Sequence, residues 1–273
     1  MYKLIASDLD ETLLDDDHQI PQRVIDAVAA AEKLGARFVP STGRPFGSVA
    51  GVLQTLGLDN SANDYVLSFN GGCLTQNNSD KPLTTSFLSK ETAEAIYQAG
   101  REYGVCMHIN TLDPVYLYNY VPEERAYIEG RMNIIETFMP SLDFLGNQGV
   151  VKIIYMSRDM DYLHRIEKEI AEKGISAGLD VYYSGNRYLE FNAPGTNKGA
   201  GLARLAERLG IDMSQTIAIG DNSNDISMIR AAGLGCAVAN ATEECKTAAD
   251  YVCEADNNAG AVAEVIEKFV LGA

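Results

Sequence analysis

Leu4-Ile5-Ala6-Ser7-Asp8-Leu9-Asp10-Glu11-Thr12 carries a short apolar run directly into two carboxylates one residue apart. The run has the length of a buried strand. From Pro21 to Gly35, Val24, Ile25, Val28 and Ala31 then recur at helical spacing. Arg37-Phe38-Val39 reads as a second strand, Pro45 to Leu56 as a second helix, and Tyr65-Val66-Leu67-Ser68-Phe69 as a third strand. Strand, helix, strand, helix, strand predicts a parallel sheet with crossover helices. Ligands bind such sheets at the carboxyl ends of the strands, which is where Asp8 and Asp10 fall.

The last third repeats the pattern. Asn197 to Leu209 predicts a helix closed by Gly210, and Thr216-Ile217-Ala218-Ile219 a strand. A helix from Ser223 to Ala232, a strand at Gly235-Cys236-Ala237-Val238 and a final helix from Ala259 to Val270 follow. The middle is richer in tyrosine. It holds strand patterns at Val115-Tyr116-Leu117-Tyr118 and Val151-Lys152-Ile153-Ile154-Tyr155, and helical patterns from Lys90 to Tyr103 and Met160 to Lys173. The expectation is an α/β fold: a Rossmann-like parallel-sheet core from residues 1–83 and 191–273, with an α+β domain inserted at residues 84–190.

Composition sets limits. Across 273 residues 46% are hydrophobic, enough for a core. No apolar run reaches bilayer length, and Met1 to Asp8 lacks the pattern of a signal peptide, so a cytoplasmic chain is expected. The five cysteines have no Cys-x-x-Cys pair, which argues against a zinc site or a disulfide framework. The net charge of −16 would repel nucleic acid and anionic lipid, so neither is an expected partner. A phosphorylated ligand would also be repelled, unless a cation, placed basic residues or helix N-termini offset the charge.

Four loops carry residues suited to that task. In the first, Asp8 and Asp10 can divide roles: one attacks phosphorus, the other handles the leaving-group proton. Their like charges call for a divalent cation, and oxygen ligands suit Mg²⁺. Alone, Asp-x-Asp is equally a solvated turn. In the second, Ser41-Thr42-Gly43-Arg44 places a hydroxyl and backbone N–H groups where a phosphate could rest, or is an ordinary helix start with Pro45 at a favoured position. In the third, Lys198 opens a helix and could neutralise transition-state charge, though most lysines are merely solvated. In the fourth, Gly220-Asp221-Asn222-Ser223-Asn224-Asp225 could complete a Mg²⁺ site, or be a turn capped by Ser223.

The ordered set resembles the haloacid dehalogenase-like superfamily, and more narrowly its Cof-type sugar-phosphatase group. The shared features are Asp8-Leu9-Asp10-Glu11-Thr12-Leu13-Leu14, Thr42-Gly43-Arg44-Pro45, Asn70-Gly71-Gly72, Asn197-Lys198-Gly199, Gly220-Asp221 with Asn224-Asp225 and Met228, and Ala237-Val238-Ala239-Asn240-Ala241. Pro40, Ser41 and Ala239 depart from the group's habit. Asp8 and Thr42 are 34 positions apart, room for a hairpin and a helix; Thr42 and Lys198 are 156 apart, room for an inserted domain. In that group a mixed α and β cap in the second gap is the type IIB arrangement.

The resemblance implies a Mg²⁺-dependent phosphatase acting on a small phosphorylated metabolite through a phosphoaspartate. It implies Asp8 as nucleophile, Asp10 as general acid and base, and Asp8, Asp221 and the Asp10 carbonyl as Mg²⁺ ligands. Leu9 N–H, Thr42, Gly43, Lys198 and Asn224 match phosphate-binding positions, and Asp225 supports Lys198 or the metal waters. Arg44 and Asn70 are expected near the entry of the substrate. A sugar phosphotransferase or mutase and a phospho-accepting signalling receiver are the alternatives. The inserted domain counts against both. The chain is expected to act as a monomer or a small homo-oligomer. His18, His108 and His164 are expected to have no catalytic role.

Overall fold

The structure is a computed structural model that describes residues 1–130 and 132–272. It divides into two compact units: Met1–Thr84 with Asn197–Ala273, and Thr85–Thr196.

In the first unit the order is β1 (Leu4–Ser7), α1 (Gln22–Lys33), β2 (Arg37–Pro40), α2 (Ala50–Leu56), β3 (Tyr65–Ser68), β4 (Cys73–Gln76) and β5 (Pro82–Thr85, ending at the unit boundary). The second unit runs α3 (Lys90–Tyr103), β6 (Cys106–Asn110), β7 (Val115–Tyr118), α4 (Pro122–Ile128), β8 (Ile134–Thr137), β9 (Lys152–Met156), α5 (Met160–Glu172), β10 (Asp180–Ser184) and β11 (Tyr188–Asn192). The chain returns to the first unit with α6 (Lys198–Leu209), β12 (Thr216–Gly220), α7 (Ile226–Ala231), β13 (Leu234–Ala237), α8 (Glu243–Ala248), β14 (Tyr251–Val252) and α9 (Ala261–Ile266).

The first unit is built on a parallel sheet of order β14-β13-β12-β1-β2. Every residue of β1 and β12 is buried, as both faces of a parallel sheet require. Side-chain alternation splits the core into two layers. Ile5, Phe38, Ile217 and Ile219 pack with α1 and α9, while Leu4, Ala6, Val39 and Ala218 pack with Leu202 and Leu205 of α6 and Met228 of α7. The internal position of β1, flanked by β2 and β12, puts three strand ends side by side.

The second unit has a six-stranded sheet of order β10-β11-β9-β6-β7-β8, antiparallel except where β7 meets β8. Met107, Ile109, Ile153, Tyr155, Leu189 and Phe191 share a core with residues of α3 and α5. Lys152 and Glu190 form a buried ion pair at 2.6 Å. The overall class is α/β, with a parallel-sheet unit and an α+β unit.

Several expectations need correction. β3 does not join the parallel sheet. Phe69, Asn70 and Gly71 all have positive φ, turning the chain back so that β3 pairs antiparallel with β4. A bridge between Ser41 and Leu67 is what ties β3 to β2. The helix expected from Pro45 begins as a 3₁₀ turn, Phe46–Val49. The helix expected from Ser223 begins at Ile226, so Ser223 is not its cap; Asp225 precedes it with its carboxylate turned to other donors. The expected hairpin after Asp8 is a run of turns without a strand, because the Asp15 carboxylate closes the tip on the amides of Asp17 and Gln19. The last helix is α9, continued by a wider turn over Glu267–Leu271. All five cysteines are buried. Among the described residues no helix is long and apolar enough to cross a membrane.

Candidate active site

Asp8 is the first residue beyond β1. Its amide donates to the Ile219 carbonyl at the end of β12 (2.9 Å), and the Ser41 amide beyond β2 donates to the Ser7 carbonyl (2.8 Å). Parallel pairing therefore sets Asp8 beside the loops carrying Asp221 and Thr42.

Lys198 comes from the first turn of α6, which Asn197 caps by accepting from the Ala200 amide (2.8 Å). Its ammonium is fully buried, 2.5 Å from Asp8 Oδ1 and 2.5 Å from Asp225 Oδ1. Burial opposes its charge, but Asp225 and Asp8 prevail and hold its pKa above the usual lysine range. The position depends on Gly199: a Cβ there would run into the Ser227 carbonyl, so a larger residue would push α6 from α7. The Gly199 amide instead donates to Ser227 Oγ (3.1 Å).

The Asp225 carboxylate is fully engaged. Oδ1 accepts from Lys198, and Oδ2 accepts from the amides of Asp221 (3.0 Å) and Asn222 (3.1 Å). It thus folds its own loop while fixing the lysine. The close approach requires Gly220, where a Cβ would collide with Asp225.

Carboxylate oxygens of Asp8, Asp221 and Asp225 lie within 4.8 Å of one another. Three buried carboxylates face one ammonium. Burial, outweighing the Lys198 ammonium, pushes the Asp8 carboxyl up to about 7; burial and Asp8 push Asp221 up to about 9. A hard divalent cation suits such a set, being all oxygen with negative charge in excess. Asp225 is already saturated by donors, so Asp8 and Asp221 are the carboxylates suited to ligate it.

Asp10 lies outside this cluster. Arg44 grips its carboxylate with both prongs: Nε donates to Oδ2 at 2.8 Å and Nη2 donates to Oδ1. The Arg44 amide donates to Thr42 Oγ1 (3.1 Å) within the second loop, and its guanidinium on Asp10 ties that loop to the first. The buried Thr42 donates its N–H to the Leu67 carbonyl (2.8 Å), and its own carbonyl accepts from the Asn70 amide (2.9 Å). Gly43 lies against Asn70, and Asn70 Oδ1 accepts from Asn224 Nδ2 (3.3 Å). Asn70, expected near the substrate's entry, is buried. Leu9 is buried with its side chain in the core.

Sequence reading left Thr12 without a role, and it proves integral. Its buried hydroxyl donates to Asp221 Oδ1 at 2.9 Å, across 209 positions of chain. Thr12 stands in the first motif, but a threonine four residues past an aspartate carries no signal of its distant partner.

The family model for haloacid dehalogenase-like hydrolases matches residues 5–266. The chain belongs to this family. It is 30% identical to Phosphatase YwpJ of Bacillus subtilis over 92% of this chain and 94% of that one. It is 28% identical to a phosphoglycolate phosphatase of Methanopyrus kandleri, over 99% and 98%. A haloacid dehalogenase-like hydrolase from Bacteroides thetaiotaomicron superposes with TM-score 0.83 at 31% identity, covering 98% of this chain and 99% of that chain. The subclass IIB sugar phosphatase BT4131 has the same fold, with TM-score 0.83 at 23% identity over 98% of each chain. The fold is thus the Cof-type, subclass IIB one, and the chain is a phosphoric monoester hydrolase.

Proposed function

We propose that the chain hydrolyses phosphomonoesters of small metabolites, sugar phosphates or related compounds, through a phosphoaspartate on Asp8, with Mg²⁺ as cofactor. The observation that carries this is the convergence of Asp8, Lys198, Asp221 and Asp225 from three separate segments.

In this reading Asp8 attacks phosphorus and the bond to the ester oxygen breaks. The departing alcohol takes a proton from Asp10. Water then attacks the phosphorus of the acyl phosphate, delivering a proton to Asp10 and freeing phosphate and the Asp8 carboxylate. Lys198, the Leu9 N–H, Thr42, Gly43 and Asn224 hold the phosphoryl oxygens. Asp8, Asp221 and the Asp10 carbonyl would hold Mg²⁺, which supplies electrostatic stabilisation of the transferring phosphoryl group when bound. Thr12 orients Asp221, and Asp225 fixes Lys198. Arg44 acts on Asp10 before it acts on any substrate. The inserted residues, 84–190 on the sequence reading, serve as a cap that selects the leaving group.

Phosphate release from a panel of about a hundred phosphorylated metabolites tests the proposal, with and without EDTA. Asp8→Asn should abolish turnover with the circular-dichroism spectrum unchanged. Full activity in that variant would remove Asp8 as nucleophile. Transfer to an added sugar in preference to water would make the chain a phosphotransferase.

A further inference from the structure

The segment from Leu9 to Gln19 carries Asp10 yet forms neither strand nor α-helix. Its inner residues Leu9, Leu13 and Leu14 anchor in the core. Its polar residues need another restraint, because Glu11 sits at φ 59°, a left-handed conformation that is strained for a residue bearing a side chain.

Two asparagines from the far end of the chain supply it. Asn240, in the turn after β13, donates from Nδ2 to the Glu11 carbonyl (2.8 Å). Asn257, buried in the loop after β14, donates from Nδ2 to the Leu14 carbonyl (3.0 Å) and to Asp16 Oδ1 (3.2 Å). The two are joined, since the Asn257 amide donates to Asn240 Oδ1 (3.1 Å). Asn258 adds a third hold, accepting from the Asp16 amide (3.1 Å). The Asn240 turn also reaches the acidic loop, where the Thr242 amide donates to the Asp221 carbonyl (2.8 Å). One hydrogen-bonded unit thus spans both sides of the site. Arg44 restrains the Asp10 side chain; these asparagines restrain the backbone that presents it.

We propose that Asn240 and Asn257 form a clamp on residues 11–16 and act as positioning residues for proton donation by Asp10, an inference that rests on the phosphatase reading above. The clamp touches no reacting atom. It fixes the distance between a general acid and the ester oxygen, where a misplacement of about 1 Å costs roughly a hundredfold.

Leaving-group chemistry isolates this effect. An alkyl alkoxide needs the Asp10 proton to depart, whereas p-nitrophenolate does not. kcat/KM reports on events through the first irreversible step, formation of the phosphoaspartate. Asn240→Ala and Asn257→Ala should each lose roughly tenfold or more in kcat/KM on an alkyl phosphomonoester that the wild type turns over. On p-nitrophenyl phosphate they should lose less than about threefold. Asn240 is exposed, so its variant keeps the question open if Asn257→Ala does not fold. Equal losses on both substrates, or none, with an active wild type would overturn the clamp and leave the phosphatase reading standing. A wild type inactive on both substrates would instead overturn the phosphatase reading and the clamp's role with it.

Discussion

Arg44 binds Asp10 through both prongs of its guanidinium, so the carboxylate assigned to proton transfer is held from the neighbouring strand end. Lysine cannot reproduce that fork. Arg44→Ala should lower kcat roughly tenfold to a hundredfold, and Arg44→Lys should recover little of it. Steady-state kinetics on a hydrolysed phosphomonoester checks this; a raised KM with unchanged kcat would mean that Arg44 binds substrate and does not orient Asp10.

Asp225→Ala should be costly to the fold as well as to activity. It leaves Lys198 with one partner and strips the Asp221 and Asn222 amides of their acceptor. Breaking a buried ion pair from one side costs about 3–5 kcal/mol. Urea denaturation would read the loss. A change below about 1 kcal/mol would mean that the loop holds its shape without this carboxylate.

Proton binding at Asp8 and Asp221 sets a pH dependence for the metal-free chain. Both carboxyls stand above their ordinary value of 3.8, at about 7 and about 9. The folded chain therefore keeps protons that the unfolded chain has already released, and folding stability falls as pH rises through this interval. In EDTA the melting temperature should drop between pH 5 and pH 9. Mg²⁺ should reverse the drop, and most strongly at the alkaline end, because the cation replaces the protons. A melting temperature that climbs steadily with pH in EDTA would contradict the assignment.

Gly199→Ala adds one methyl group where the Ser227 carbonyl already sits. The expected outcome is a destabilised protein whose remaining folded fraction is nearly inactive, since α6 must shift and carries Lys198 with it. Measuring activity per folded molecule separates the two effects. Wild-type activity in a fully folded variant would show that α6 can be displaced without consequence.

Much of the plan was legible in the chain because it is written in local order. Apolar runs followed by acidic or Thr-Gly turns announce strand ends, and helical spacing announces the crossovers. Lys90–Tyr103, for example, is bounded by Ser89, whose side chain caps the helix start, and by Gly104, left-handed at its end. Asp8, Asp10, Thr42 and Asp221 could be singled out because each follows such an end, and Lys198 because it opens a helix. The third strand was misplaced for the same reason: its hydrophobicity gives no hint of whether the following turn sends the chain onward or back.

What the sequence determined by itself was the set of candidate site residues and the alternation that delivers them to one edge of a sheet, because strand and helix periodicity are properties of neighbouring residues. What tertiary structure alone decided was who holds whom: Arg44 on Asp10, Thr12 on Asp221, Asn257 on the Asp10 loop. These partners lie 34, 209 and 243 positions apart. A side-chain hydrogen bond needs only a few ångströms in space, and it leaves no mark on the spacing of residues along the chain.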